Sequence, residues 1–350
     1  MVVNRRGLAL SAAAFIILTA GLGAQKKDEK KQSDAQKKEI LDIVKLVDAT
    51  SAGQPATNDF GLTWAHEDFL KATSNKEYIP FTLTFDASKA AGQNITLYWR
   101  VVAKDTGASA TLALPAGKKD DKDKKAASKY AYEDINFLSG GALTQGHLSR
   151  SFTVGAGAYD VYVVMKEATS NQKNAPAPKV SVLKQTLMVP DFWAPDLTTS
   201  SVIIASRIEP LNAPISPNEQ SERPYALGMM EIVPALDAKF STKGELSVFM
   251  LIYNPKTDQM NKPDVLVEYN FYAKPAGAPE KFFNKTTPQA LNGMTLPAAF
   301  DMTLGHQLQT GQAVPLASFP AGDYRLEIKV TDKLATKTIT RDVNFTVTAG

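Results

Sequence analysis

The stretch FPAGDYRLEIKVTD, residues 319–332, has a counterpart in VGAGAYDVYVVMKE, residues 154–167. Each writes Gly-x-Tyr and then an alternating run, so Ala156, Gly157 and Tyr159 recur as Ala321, Gly322 and Tyr324 at a shift of 165, and Gly146 recurs as Gly311 at the same shift. Two further ungapped blocks run in the same order. EYIPFTLTFD (77–86) lies over ELSVFMLIYN (245–254), matching Glu77 to Glu245, Phe81 to Phe249 and Leu83 to Leu251 at a shift of 168. WRVVAKDTGA (99–108) lies over YNFYAKPAGA (269–278) at a shift of 170, where Ala103, Lys104, Gly107 and Ala108 recur as Ala273, Lys274, Gly277 and Ala278. Collinear blocks with nearly equal shifts imply two copies of one domain.

Each block reads as β-structure, and the last shows a period of two. Tyr324, Leu326, Ile328 and Val330 alternate with Arg325, Glu327, Lys329 and Thr331, which predicts a half-buried strand of an antiparallel sheet. RDVNFTV repeats the pattern with Val343, Phe345 and Val347. In VSVLKQTLMV the apolar phase slips between Val180/Val182 and Leu187/Val189, as a β-bulge would cause. One amphipathic helix is expected, with Ser33 as its N-cap and Ile40, Val44 and Val47 on one face, docking on the first domain. The segment 210–224, with its four prolines, reads as a long irregular loop.

The amino-terminal run MVVNRRGLALSAAAFIILTAGLGAQKK has a basic pair, Arg5 and Arg6, an apolar core and a small-residue exit, the pattern of a secretory signal peptide. The expected compartment is the periplasm or the extracellular space, with no membrane span once the signal is removed, and an uncleaved anchor is the alternative reading of the same run. The chain contains no cysteine, which excludes disulfides, thiolate metal sites and cysteine nucleophiles. Its formal net charge is +3, concentrated in that Arg pair, in the Lys-rich tail 25–39 and in the KKDDKDKK loop at 118–125. Mixed-sign runs of this kind are solvated segments and not nucleic-acid footprints, so no nucleic-acid partner is expected.

The segments AGDYRLEIKVTD and AGAYDVYVVMKE resemble the penultimate strand of immunoglobulin-like and fibronectin-like bacterial domains. That resemblance implies that Gly157 and Gly322 make the turn and that Tyr159 and Tyr324 are structural, each hydroxyl bonding back to the backbone. SVIIASRIEP through GMMEIVPALDAKFSTKGELSVFMLIYNP is similar to β-domains of secreted bacterial proteins that accompany a GWxTD motif, which is absent here. The fold class expected is therefore all-β: two tandem, internally duplicated immunoglobulin-like β-sandwiches behind a signal peptide and a short amphipathic helix. The expected boundaries are 1–24 for the signal, 25–55 for the tail and helix, 56–190 for domain one with a disordered Lys/Asp loop at 117–129, 191–196 for the linker and 197–350 for domain two.

Reactive groups are sparse. Of three histidines, His66 lies in WAHEDF, where a strand would bring only Asp68 to its face, and His147 and His306 follow glycines as turn residues. No HExxH, GxSxG or phosphate-cradle motif occurs, so no catalytic residue and no cofactor is assigned. Asn254, Asp258, Asn261 and Asp264 offer oxygen donors for calcium, but turns favour the same residues for backbone reasons, and the solvated turn is the preferred reading. Phe192 and Trp193, in the linker, either wedge the domains together or offer a recognition platform, with Tyr162 as a further stacking ring. The expectation is an exported, non-catalytic module that binds a protein or scaffolds an envelope component. A glycan-binding role is the alternative, and a chaperone-like one ranks lower.

Overall fold

The computed structural model describes residues 34–90, 92–104, 130–170 and 174–350. The signal segment, most of the charged tail, the Ser33 cap and the loop 117–129 lie outside them. By contact the chain divides into two compact units. Described residues of Gly23–Glu67 and Lys76–Asp191 form one, and those of Asp68–Asn75 and Phe192–Gly350 form the other. Both are built mainly of strands, and among the described residues the one long helix is Asp34–Ser51.

The amino-terminal unit contains α1 (Asp34–Ser51), β1 (Thr63–Glu67), β2 (Glu77–Thr84), β3 (Ile95–Ala103), β4 (Tyr132–Leu138), β5 (His147–Val154), β6 (Gly157–Glu167) and β7 (Val180–Val189). β1, β2 and β5 form an antiparallel sheet with β2 in the middle. A second sheet runs β4-β3-β6-β7. β2 and β3 are buried along nearly their whole length, and the Phe81 ring meets those of Trp99 and Phe152 at centroid distances of 6.1 and 5.9 Å, while Tyr132 stacks on Trp99.

The carboxy-terminal unit contains β8 (Ile203–Pro210), β9 (Met230–Pro234), β10 (Lys239–Ser241), β11 (Glu245–Tyr253), β12 (Asp264–Ala273), β13 (Lys281–Lys285), β14 (Gln289–Asn292), β15 (Leu308–Pro315), β16 (Gly322–Asp332) and β17 (Lys337–Thr348). One sheet runs β9-β8-β11-β15, and the other runs β10-β17-β16-β12 with β13 and β14 both on the far side of β12. The loop after β8 is not wholly irregular. Ser216 and Glu219 form a reciprocal capping box on a four-residue helix, Pro217–Gln220.

Certain strand pairs correspond between the two units. Ala103 pairs with Tyr159 and Trp99 with Val163; in the other unit Ala273 pairs with Tyr324 and Tyr269 with Ile328. The blocks at shifts of 168, 170 and 165 therefore occupy matching strands. The Gly146/Gly311 match does not. Phe81 pairs with Arg150 and its counterpart Phe249 with Gly311, so by register Gly311 takes the position that Arg150 holds in the other unit, and Gly146 lies before β5.

Two local expectations change for one reason, the placement of α1. The helix packs on β6 and β7 through Ile43 and Val47, both fully buried against Tyr98, Tyr162, Val164 and Val182. Its buried face is Glu39, Ile43 and Val47, spaced i, i+4, while Ile40 and Val44 are only half-buried. β7 pairs with β6 without a register shift from Val180 to Val189, so no bulge is present. Val182 is buried outward beneath the helix and Leu187 and Val189 are buried inward, which produces the phase slip without an extra residue.

Polar side chains fasten the helix. Lys166 Nζ lies 2.5 Å from Glu39 Oε1, both groups buried, and Thr169 donates to Glu39 Oε2 at 3.1 Å. Arg100, also buried, reaches Asp48 at 2.8 Å and the Tyr98 hydroxyl at 2.7 Å. The corresponding outward positions of the carboxy-terminal unit carry a charge network instead. There Arg325 lies over the Tyr272 ring at 4.4 Å and bonds Glu280, Glu327 and Asp342.

Candidate functional site

β11 ends at Tyr253, and the chain turns through Asn254 at φ +57°, a left-handed conformation that asparagine tolerates. The Asn254 amide nitrogen donates to three carbonyls of the preceding connection, Phe192 O at 3.1 Å, Ala194 O at 2.8 Å and Asp196 O at 3.2 Å. Its oxygen accepts from Lys71 Nζ at 3.2 Å. Phe192 is buried against the Tyr253 ring at 5.1 Å, and the Tyr253 hydroxyl accepts from Lys71 N at 2.9 Å. Between those fixed carbonyls stands Trp193, 38% exposed, with Lys71 Nζ 4.3 Å from its ring centroid. Lys337 holds Asp196 at 2.5 Å and, by that hydrogen bond, keeps its carboxyl below the ordinary range.

This arrangement presents one aromatic ring from a backbone fixed on both sides. The indole has a large apolar face and a polar edge, and a cation nearby adds about 0.5–1 kcal/mol of attraction at an exposed site. Trp193 and Phe192 stand out in the sequence as linker aromatics, whereas Lys71 and the clamping role of Asn254 do not, because they come from segments far along the chain.

The other candidates are dispersed. Tyr162 is 3% exposed beneath α1, so its ring offers no stacking surface, and Phe192, also 3% exposed, offers none either. Asn254 spends its side chain on carbonyls and Lys71. Asp258 caps its own turn through Met260 N and Lys262 N, Asn261 bonds Asp301, and Asp264 faces Lys333 at 3.5 Å. Among the described residues no three His, Asp or Glu side chains gather as a metal site would require. Tyr159 donates to Gly155 O at 3.0 Å and Tyr324 to Pro320 O at 2.7 Å, each four residues back. Gly157 and Gly322 have φ of +144° and +155°, which restricts both positions to glycine.

The histidines occupy separate places. His66 lies on β1, His147 opens β5 with Nδ1 3.2 Å from Gln145 O, and His306 Nδ1 accepts from Asp301 N at 2.9 Å. A groove of about 440 Å³ in the carboxy-terminal unit is lined by Asp237, Lys274, Glu280, Asp323 and Asn344. Its carboxylates are already engaged. Arg325 binds Glu280 and holds it below the ordinary range, Thr346 donates to Asp323 and Lys239 N to Asp237. No helix among the described residues is long and apolar enough to cross a membrane.

No protein-family model matches the chain, and no characterised protein matches it in sequence. Solved structures similar to it include alpha-2-macroglobulin from Salmonella reacted with methylamine, at 13% identity and a TM-score of 0.23 over 84% of this chain. The trypsin-activated protein from Escherichia coli gives 11% and 0.22, and its native conformation gives 12% and 0.22. The chain spans about a sixth of the length of these proteins, 16–17%. At such scores the likeness carries no inference about activity.

Proposed function

We propose that the chain is an exported, non-catalytic recognition module of the cell envelope or extracellular space, and that it binds another protein. The observation that supports this reading is the Trp193 platform. An exposed tryptophan on a backbone whose flanking carbonyls share the two N–H groups of the Asn254 amide loses little freedom on binding, the character of an interface anchor. A sugar could stack on the same ring, but Phe192 and Tyr162 are withdrawn from any such surface. The protein reading is therefore preferred.

The test is a cross-linking capture with tagged chain returned to its own envelope, run beside Trp193→Ala. A dominant protein partner lost in the variant is the expected result. Partners retained in full by Trp193→Ala would remove this surface from the reading. Recovery of polysaccharide alone would replace it with glycan binding.

A further inference from the structure

The last strand of the carboxy-terminal unit is paired along only part of its outer side. β17 runs twelve residues and pairs with β16 from Lys337 to Val347. On its other side β10 pairs in parallel with Thr346–Thr348. Thr346 N donates to Ala238 O at 2.9 Å, so even-numbered residues point their backbone groups away from β16. The amides of Thr338, Thr340, Asp342 and Asn344 therefore face an edge that no strand among the described residues occupies.

Arg341 sits at the middle of that edge. Its guanidinium donates to Thr199 Oγ1 at 2.9 Å, Thr198 Oγ1 at 3.3 Å and Thr340 O at 3.0 Å, all neutral acceptors. Arg100, Arg207, Arg223 and Arg325 each hold a carboxylate, and Arg341 holds none among the described residues. It is half-buried, and that burial pushes its pKa below the ordinary arginine value. A desolvated guanidinium without a counter-charge is costly, and a carboxylate is the group that best relieves it. Ile339 and Val343, two residues to either side on the same face, are only partly buried against the core.

We propose that the β17 edge binds an extended segment of a partner protein bearing an acidic side chain, its backbone pairing with Thr338–Asn344 and its carboxylate with Arg341. Strand addition supplies the backbone hydrogen bonds, Ile339 and Val343 supply apolar contact, and Arg341 supplies selectivity for acid. The inference rests on the protein-binding reading but places the partner on a surface separate from Trp193.

The experiment uses the full chain and a fluorescent peptide that alternates Thr and Val about one central Glu. Saturable binding is expected by anisotropy, with slowed amide exchange at Thr338, Asp342 and Asn344. Arg341→Gln and a peptide with Gln in place of Glu should each weaken binding roughly tenfold, and the two changes together should cost little more than either. Thr340→Pro removes one outward amide and no bond to β16, so it should abolish binding while the fold persists. Trp193→Ala should leave peptide binding intact, which separates failure of this edge from failure of the Trp193 surface. No saturable binding, or binding equally strong for the Glu and Gln peptides, overturns the proposal even if a protein variant fails to fold. A dimer in sedimentation that Thr340→Pro dissociates would also overturn it, by assigning the edge to a second copy of the chain.

Discussion

Gly311 shows a residue fixed by a neighbour's backbone rather than by its own turn. It lies inside β15 opposite Phe249, and a Cβ built there would stand 2.8 Å from Val248 O. That oxygen is main chain, so no side chain can swing aside, and β15 must move away from β11. Gly311→Ala is expected to cost about 1–3 kcal/mol by urea denaturation, the range of an overpacked site. A neutral result would mean that the two strands part without penalty. Gly244, where the same Cβ would meet Ser241 O at an ordinary 3.4 Å, is the control and should tolerate alanine. The sequence marks Gly311 only as a glycine within a repeat. The reason for it is a contact with a strand about sixty positions earlier, which no local pattern encodes.

The helix α1 makes the same point for an element. Its existence is legible from spacing, and so are β16 and β17, because burying one face of a strand writes a period of two into the sequence. Which helix face goes inward is only half legible. Val47 follows the pattern, whereas Glu39 is buried because Lys166, separated from it by 127 positions, receives it. For the same reason Trp193 can be picked out as a linker aromatic, while the Lys71 and Asn254 that hold it cannot. The buried pair yields a prediction with two arms. Lys166→Met leaves Glu39 buried without its counter-charge and should cost about 3–5 kcal/mol, whereas adding Glu39→Leu to it should recover most of that loss. Thermal unfolding of the single and double variants measures both, and a double variant as unstable as the single would show that α1 is not held through this pair.

On the scale of the whole molecule, both units hide tyrosine hydroxyls, and this sets their response to alkali. Burial is the first cause that raises Tyr98, Tyr132 and Tyr269 far above the ordinary value of 10, with Glu133 adding to it for Tyr98 and Asp134 for Tyr132. Burial raises Tyr159 and Tyr324 as well. A raised folded-state pKa means that the folded chain holds the phenol proton more tightly than the unfolded chain does. The stability this contributes is fully present below pH 10 and drains away as pH climbs beyond it, by up to about 1.4 kcal/mol per pH unit for each group. Urea midpoints should therefore be flat across neutral pH and fall steeply above pH 10 in both units. Tyr269→Phe isolates one contribution. It gives up the 2.7 Å bond to Thr310, so it should be less stable than the parent at neutral pH, but its midpoint should fall less steeply above pH 10. A variant that lost stability with alkali as fast as the parent would show that Tyr269 ionises no differently in the folded and unfolded chains, and would remove its phenol as a cause.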